Sequence, residues 1–528
     1  MALVFPNLYH VGMSNLGFRL VYHLLNRVDE IVCERFFLPE GDTPLRSVES
    51  NRPLVDFPVV LFSISFETDF INVLKILLKA GISPWRKERV KGPVILAGGV
   101  GVWLNPDSLS PFVDGFLVAE IEPILKPLLE ALKEAHTPQG LTEALKGVPG
   151  FLHADYQVFF NAEGYIEGFR ALGQNLPVKK VWARHLEEPP FSDLITPETT
   201  FTDTYLLEVG RGCGRGCRFC AAGMLYRPPR PWSLDTLLKA LERIPQGSKV
   251  GLIGLEFADQ HKIEALAAEL WAKDCELTFS SLRADSLTPG FVRLLTRQRT
   301  ATIAPEAGSQ RLRQVINKGL EEKDILEATR LLAEAGVHTI KLYFMVGLPT
   351  ETEEDLQALV ALVKKIRHTA DKVTRPRGYM VGLRISVACF VPKPWTPFQW
   401  APFLGVKDLK QRLKWIRHKI GRVPNTVFTA DLPKWAFLQA LIARGDRRLA
   451  PLLYMLAKEV PFSQALKTLS INPDFLIARM RDKEEVFAWE VIDPGVKRTF
   501  LWKEWQKALR GKPSPPCLPG KCRRCGAC

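Results

Sequence analysis

The stretch Glu208-Val-Gly-Arg-Gly-Cys-Gly-Arg-Gly-Cys-Arg-Phe-Cys220 sets the strongest constraint on this chain. Cys213, Cys217 and Cys220 stand at C-x3-C-x2-C spacing, with Phe219 directly before the third. The apolar run 205–209 ahead of them reads as a strand, so the cysteines occupy the loop that leaves it. Glycines at 210, 212, 214 and 216 give that loop the backbone freedom to wrap a compact guest. Three thiolates on one tight loop suit an iron–sulfur cube, which normally takes four cysteines; the missing fourth leaves one iron open. A structural zinc loop is the alternative. Zinc prefers four tetrahedral ligands in paired knuckles, and no fourth Cys or His lies nearby in the sequence.

A second cysteine group closes the sequence. Cys517, Cys522, Cys525 and Cys528 follow C-x4-C-x2-C-x2-C spacing, and four thiolates with no open position fit a second iron–sulfur cluster or a structural zinc. The three remaining cysteines, Cys33, Cys275 and Cys389, are scattered. Clustering at ligand spacing points to metal rather than to disulfides.

With 528 residues, 46% apolar and 24% charged, several globular domains with ample core are expected. No apolar run reaches a membrane span. The N-terminus has no basic region before an apolar core, so it does not read as a signal peptide, and a cytoplasmic location is expected. The net charge of +14 attracts polyanions and is compatible with an RNA substrate.

Residues 1–135 alternate strands (3–6, 58–66, 93–97, 113–118) with helices (17–28, 69–80, 122–135). This predicts a doubly wound α/β domain whose ligands sit beyond the carboxyl ends of its strands. Those ends carry Tyr9 and Gly12, Ser63 and Ser65, Gly98 and Gly99, and Glu120 and Glu122. Such loops can take a polar cofactor tail; an inert Rossmann-like domain is the alternative. Residues 151–200 read as a connector containing a hairpin over 156–171. From Thr204 six strand–helix units follow, near 205–209, 249–254, 276–280, 300–305, 337–346 and 382–390, as a partial parallel barrel requires. Barrel chemistry sits at the strands' carboxyl ends, here Cys213–Cys220, Glu256, Ser281 with Arg283, Glu306 with Arg311, and Gly347. Residues 401–510 read as helices, with Arg444–Arg448 as a helix cap and solvated basic turn. The expected segments are therefore 1–150, 151–200, 201–400, 401–510 and the Cys-rich tail 511–528.

The cysteine loop resembles the signature of the radical SAM enzymes, in which the open iron chelates S-adenosylmethionine and the reduced cluster releases a 5′-deoxyadenosyl radical. Residues 280–286, 303–313, 316–318, 341–349 and 390–400 also look like motifs of one cobalamin-type radical SAM family, so the resemblance spans nearly the whole chain. It implies an N-terminal cobalamin-binding-like domain, a partial (β/α)6 barrel and a helical C-terminal region. In that family the Gly-rich and acidic turns match Gly98-Gly99 and, with Ala119 in place of Gly, Glu120-Ile121-Glu122. The Asp-x-His-x-x-Gly loop of cobalamin mutases is absent, since His10-Val11-Gly12 has the wrong spacing. No histidine is therefore expected under cobalt.

The resemblance further implies that Glu306 and Arg283 hold the ribose and methionine ends of S-adenosylmethionine and that Gly347 admits its adenine. Glu256, in Gly254-Leu-Glu256, stands where relatives carry Gly-Gly-Glu. A salt bridge in the barrel mouth is the alternative for Arg283 and Glu306. The implied function is a cobalamin-dependent radical SAM methyltransferase acting on an unactivated carbon and fed by a flavodoxin- or ferredoxin-type electron donor. RNA, protein and small molecules all remain open as substrates. One rival is a cobalamin-independent modification of RNA like that of the methylthiotransferases, whose N-terminal domain carries three cluster cysteines where this one has only Cys33. Another is a non-catalytic iron–sulfur or RNA-binding protein.

Overall fold

The computed structural model describes the chain except residues 90, 136, 193, 255–259, 280, 281, 296 and 297. Two compact units result: Met1–Asp203 with Leu438–Gly495, and Thr204–Phe437 with Val496–Cys528. The boundaries differ from the five expected segments. The stretch 401–510 is not one helical body, because its middle returns to the first unit and its two ends belong to the second.

The first unit is built on a six-stranded sheet: β1 (Ala2–Phe5), β2 (Glu34–Phe37), β3 (Val59–Ser63), β4 (Val94–Gly98), β5 (Gly115–Leu117) and β6 (Phe151–His153). The order is β2-β1-β3-β4-β5-β6, parallel throughout except for the β5–β6 pair. Strands β1, β3 and β4 are buried almost end to end, which is why they appear in the sequence as unbroken apolar runs. Strand β2 escapes that reading because it begins Glu34-Arg35. Both are buried, Arg35 against Glu49 at 2.6 Å and over the Tyr22 ring. The hairpin is present as β7 (Tyr156–Phe160) and β8 (Ile166–Ala171). Strand β9 (Val178–Lys179) pairs in parallel with Ile492–Asp493.

An ion-pair cluster brings residues 438–495 back to this sheet. The fully buried Asp107 carboxylate accepts from the Arg447 backbone N–H (2.8 Å), from Arg447 Nε (3.0 Å) and Nη2 (2.8 Å), and from the Tyr156 hydroxyl (2.7 Å). The Arg444–Arg448 turn is therefore not solvated, against expectation. Arg444 is buried, and Arg448 is folded onto Asp446 at 2.7 Å.

In the second unit, β10 (Thr204–Arg211), β11 (Arg230–Pro231), β12 (Lys249–Gly254) and β13 (Glu276–Phe279) form one sheet. A second holds β14 (Thr300–Glu306), β15 (Thr339–Val346), β16 (Gly382–Cys389) and β17 (Thr426–Ala430). All neighbours are parallel except β10 and β11. The sheets are joined where Leu282 bridges Ile303 in parallel and its N–H donates to the Thr302 carbonyl at 3.0 Å. β10, β12, β13, β14, β15 and β16 are thus the six strands of a partial barrel. β17 is a seventh parallel strand that was not anticipated. Its five residues lie in a stretch read as helical and are at most half-buried, so they carry little apolar signal. Among the described residues no helix is long and apolar enough to cross a membrane.

Candidate functional site

The cysteine loop leaves the carboxyl end of β10 and ends in the short helix Ala222–Leu225. Its shape depends on Gly212, whose φ is +85°; a Cβ there would stand 2.3 Å from the Tyr226 carbonyl oxygen. Only glycine satisfies both conditions. Cys213, Cys217, Phe219 and Cys220 are half-buried. Two backbone N–H groups already point at sulfur, Arg215 to Cys213 Sγ (3.4 Å) and Gly223 to Cys220 Sγ (3.3 Å). Burial, and then the neighbouring Cys217, push the free Cys220 thiol up to about 11. A bound cation inverts that preference, because a coordinating thiol is deprotonated outright. The donor set, its backbone donors and its glycine turn fit an iron–sulfur cluster.

Glu306 and Arg283 converge beside this loop through a residue the sequence did not single out. Glu306 ends β14 after a register shift, with φ at +65°. A non-glycine residue in that region costs about 1–3 kcal/mol, and such strain gathers at functional sites. Its carboxylate accepts from Lys318 Nζ at 2.9 Å, and both side chains are largely buried. Lys318 and Glu306 both act electrostatically on Cys220. Arg283 donates to Asp285 (2.9 and 3.0 Å) and to the Lys318 carbonyl (3.0 Å), while Asp285 also pairs with Arg215 of the loop at 3.4 Å. Lys318 and Asp285 were therefore missed as site members. They occur in the quoted motifs, but spacing alone does not reveal the distant pairings of Lys318 with Glu306 and of Asp285 with Arg215. Glu256 and Ser281 lie outside the described residues. Gly347, with φ at +86°, faces the Leu409 and Leu404 side chains, with a built Cβ 2.9 Å from Leu409. The close approach it permits here is made by the chain itself. Arg311, named beside Glu306, instead donates to Thr350 and Asp355.

The tail packs directly on the cysteine loop. The Cys517 N–H donates to the Gly214 carbonyl at 2.6 Å. Asn317 joins both segments, donating to the Gly216 carbonyl (3.0 Å) and accepting from the Ser514 N–H (2.8 Å). Arg218, inside the C-x2-C step, is completely buried and donates to Glu504 (3.1 and 3.2 Å) and to the carbonyls of Gln314, Val315 and Lys512. Cys517 and Cys525 are buried, Cys522 is half-buried and Cys528 is exposed. Cys33, Cys275 and Cys389 are buried. Among the described residues no three His, Cys, Asp or Glu side chains are gathered at metal-ligand distance.

Several strand-end residues of the first unit pack against their own chain. Tyr9 packs edge-on against Phe37, and a Cβ on Gly12 would stand 2.4 Å from that ring. Ser65 Oγ accepts from Asn15 (2.9 Å), and Glu120 accepts from the Ala183 N–H (3.1 Å). Ser63 pairs in register with Gly98, which faces Leu117, and Glu122 lies in the first turn of the helix Ile121–Glu134. Gly99, with φ at +99°, is closed off by Ile64, whose carbonyl oxygen would be 2.5 Å from a Cβ. Gly99→Ala is accordingly expected to destabilise the first unit by about 1–3 kcal/mol, whether or not cobalamin is present, as read by denaturant unfolding. An unchanged midpoint would show that the turn can relax.

The family profile described as "Radical SAM superfamily" matches residues 207–363, which include the cysteine loop. The profile described as "Radical SAM proteins, N-terminal" matches residues 17–151. An uncharacterised protein of Methanocaldococcus jannaschii is 31% identical over 490 residues, 91% of this chain and 96% of the relative. An uncharacterised methyltransferase of Pyrococcus horikoshii is 23% identical over 288 residues, 52% of this chain and 58% of its own length. Among solved structures, the cobalamin-dependent S-adenosylmethionine radical enzyme OxsB aligns with TM-score 0.46 and 15% identity, covering 89% of this chain and 70% of that one. The Escherichia coli coproporphyrinogen III oxidase HemN, a radical SAM enzyme, aligns with TM-score 0.32 and 15% identity, covering 42% of this chain and 52% of that one. With a relative matched over nearly its full length and the radical SAM profile lying on the three-cysteine loop, this chain belongs to the radical SAM superfamily.

Proposed function

We propose that Cys213, Cys217 and Cys220 hold a four-iron cluster whose open iron takes S-adenosylmethionine, and that the chain uses it to abstract a hydrogen atom from its substrate. When bound and reduced, that cluster supplies the electron that splits the sulfonium into methionine and a 5′-deoxyadenosyl radical. The observation that carries the reading is the three-cysteine loop at the carboxyl end of β10, with Glu306–Lys318 beside Cys220. The Arg215 and Gly223 N–H groups stabilise negative sulfur. Arg283, now on Asp285, can exchange that carboxylate for the carboxylate of methionine at no change in pair type. Glu306 can accept from ribose hydroxyls while keeping Lys318. The test is anaerobic reconstitution with iron and sulfide, reduction with dithionite, and assay for 5′-deoxyadenosine. Its absence from protein carrying a full cluster would overturn the reading.

Glu306→Gln tests the Glu306 assignment. It keeps the shape and an acceptor for Lys318 but removes the carboxylate charge, and is expected to raise the KM for S-adenosylmethionine by about ten-fold with its cluster intact. An unchanged KM would leave Glu306 as a structural partner of Lys318.

A finer reading is methyl transfer to an unactivated carbon with cobalamin. Two observations favour it: the strand order, which places a ligand crevice between β1 and β3, and the methyltransferase name of the Pyrococcus relative. No step is assigned to that group. Cobalt per chain after anaerobic reconstitution decides the matter. Stoichiometric uptake would support the cobalamin reading, and none would retire it.

A further inference from the structure

We infer that the C-terminal cysteines hold a second iron–sulfur cluster seated on the first cysteine loop, through which an acidic one-electron carrier protein reduces the first cluster. The inference rests on the radical SAM reading above.

Three independent observations support it. The first is ligand pattern. Cys522, Cys525 and Cys528 repeat the C-x2-C-x2-C run of bacterial ferredoxins, whose fourth ligand comes from elsewhere in the chain; Cys517 stands ready to supply it here. Pairing Cys517 with Cys522 and Cys525 with Cys528 also gives two zinc-knuckle spacings, and the iron and zinc measurement below separates the two. Arg524 Nε donates to Cys522 Sγ at 3.3 Å, and its Nη2 holds the carbonyls of Pro515 and Pro516 at 2.8 and 3.1 Å, which ties the two ends of the tail loop together.

The second is the seat. Cys517 donates its N–H to Gly214, the residue that follows Cys213, so a single hydrogen bond separates ligand-bearing backbone of the two centres. Arg218 and Asn317 fix the same approach from either side through Glu504 and Ser514. A tail that served only to staple the C-terminus would not need its first ligand on the cluster loop.

The third is charge. From Val496 to Cys528 the sequence carries nine Lys or Arg residues and one acid, Glu504. Glu504 is buried, whereas Lys512, Lys521, Arg523 and Arg524 are exposed around the tail cysteines. A basic rim around a redox centre steers an acidic partner toward it.

The electron count closes. The reduced carrier, a flavin or iron–sulfur protein, gives up one electron to the tail cluster, which passes it to the loop cluster. That electron enters the carbon–sulfur bond of the sulfonium, leaving methionine and the 5′-deoxyadenosyl radical.

The experiment compares full-length protein with Cys522→Ser/Cys525→Ser, both reconstituted anaerobically. Iron and zinc per chain are measured, and reduction of the loop cluster is followed by stopped flow with reduced flavodoxin and, separately, with dithionite. Wild type is expected to carry two clusters' worth of iron and the variant one. The ratio of flavodoxin-driven to dithionite-driven rates is expected to fall by about ten-fold or more in the variant. Cys528→Ser, at an exposed position, serves the same comparison if the double variant does not fold. Equal iron in both proteins, zinc in the tail, or an unchanged ratio would each overturn the inference. Wild type with a full loop cluster but no 5′-deoxyadenosine under dithionite would instead overturn the radical SAM reading beneath it.

Discussion

Replacing Cys213, Cys217 and Cys220 together by alanine is expected to bring 5′-deoxyadenosine formation down to background, a loss of about a thousand-fold or more and thus about 4 kcal/mol of barrier. The three side chains are half-buried on a loop, and the loop's conformation is held by Gly212, Arg218 and Asn317 rather than by the thiols. The variant should therefore keep its fold by circular dichroism while losing one cluster's worth of iron. The two readouts separate a chemical role from a structural one. Undiminished cleavage of S-adenosylmethionine by the triple variant would remove these residues from the site.

The second large effect is expected at Arg218, which lies between two candidate ligands yet points away from them into the protein. Breaking a buried charge pair by removing one partner typically costs about 3–5 kcal/mol. Arg218→Ala should sit at the lower end, because Glu504 keeps Lys507 Nζ at 3.0 Å and Ser514 Oγ at 2.8 Å. Urea unfolding of the second unit reads this loss, and limited proteolysis reads release of the tail. Arg218→Lys should not rescue. One ammonium cannot serve Glu504 and three separate backbone carbonyls at once. The linkage with pH has a definite sign. Burial pushes the Glu504 carboxyl up, but hydrogen bonds from Ser514 and Lys507 and the Arg218 charge outweigh it and hold it below its ordinary 4.5. Its pairing therefore contributes stability that is complete above that value and is lost as pH falls through the lowered one. A midpoint and tail protection unchanged in Arg218→Ala would show that the ion pair does not dock the tail.

The cysteine loop was legible in the sequence because its information is local. Residue type, spacing and glycine content fix the chemistry of Cys213, Cys217 and Cys220 before any long-range contact forms. The same holds for the buried parallel strands β1, β3 and β4 and for the six barrel strands, whose apolar runs carry their own signal. Short strands with charged or half-exposed residues were not legible. Glu34 and Arg35 of β2 count as buried strand residues only once Glu49 and Tyr22 are in place, and β17 is recognisable only from its pairing with β16.

What the sequence by itself determined is therefore the candidate ligand set and the superfamily it belongs to. Tertiary structure decided which charges meet. It brought Lys318 to Glu306 and Asp285 to both Arg283 and Arg215, and it sent Arg447 into the buried Asp107 rather than into solvent. It also set the Gly99 turn against the Ile64 backbone, so that no side chain fits there. Above all, it laid the second cysteine group on the first, through one hydrogen bond between residues some three hundred positions apart. Spacing records what a segment can bind. Only burial and the pairing of distant charges decide what that segment is bound against.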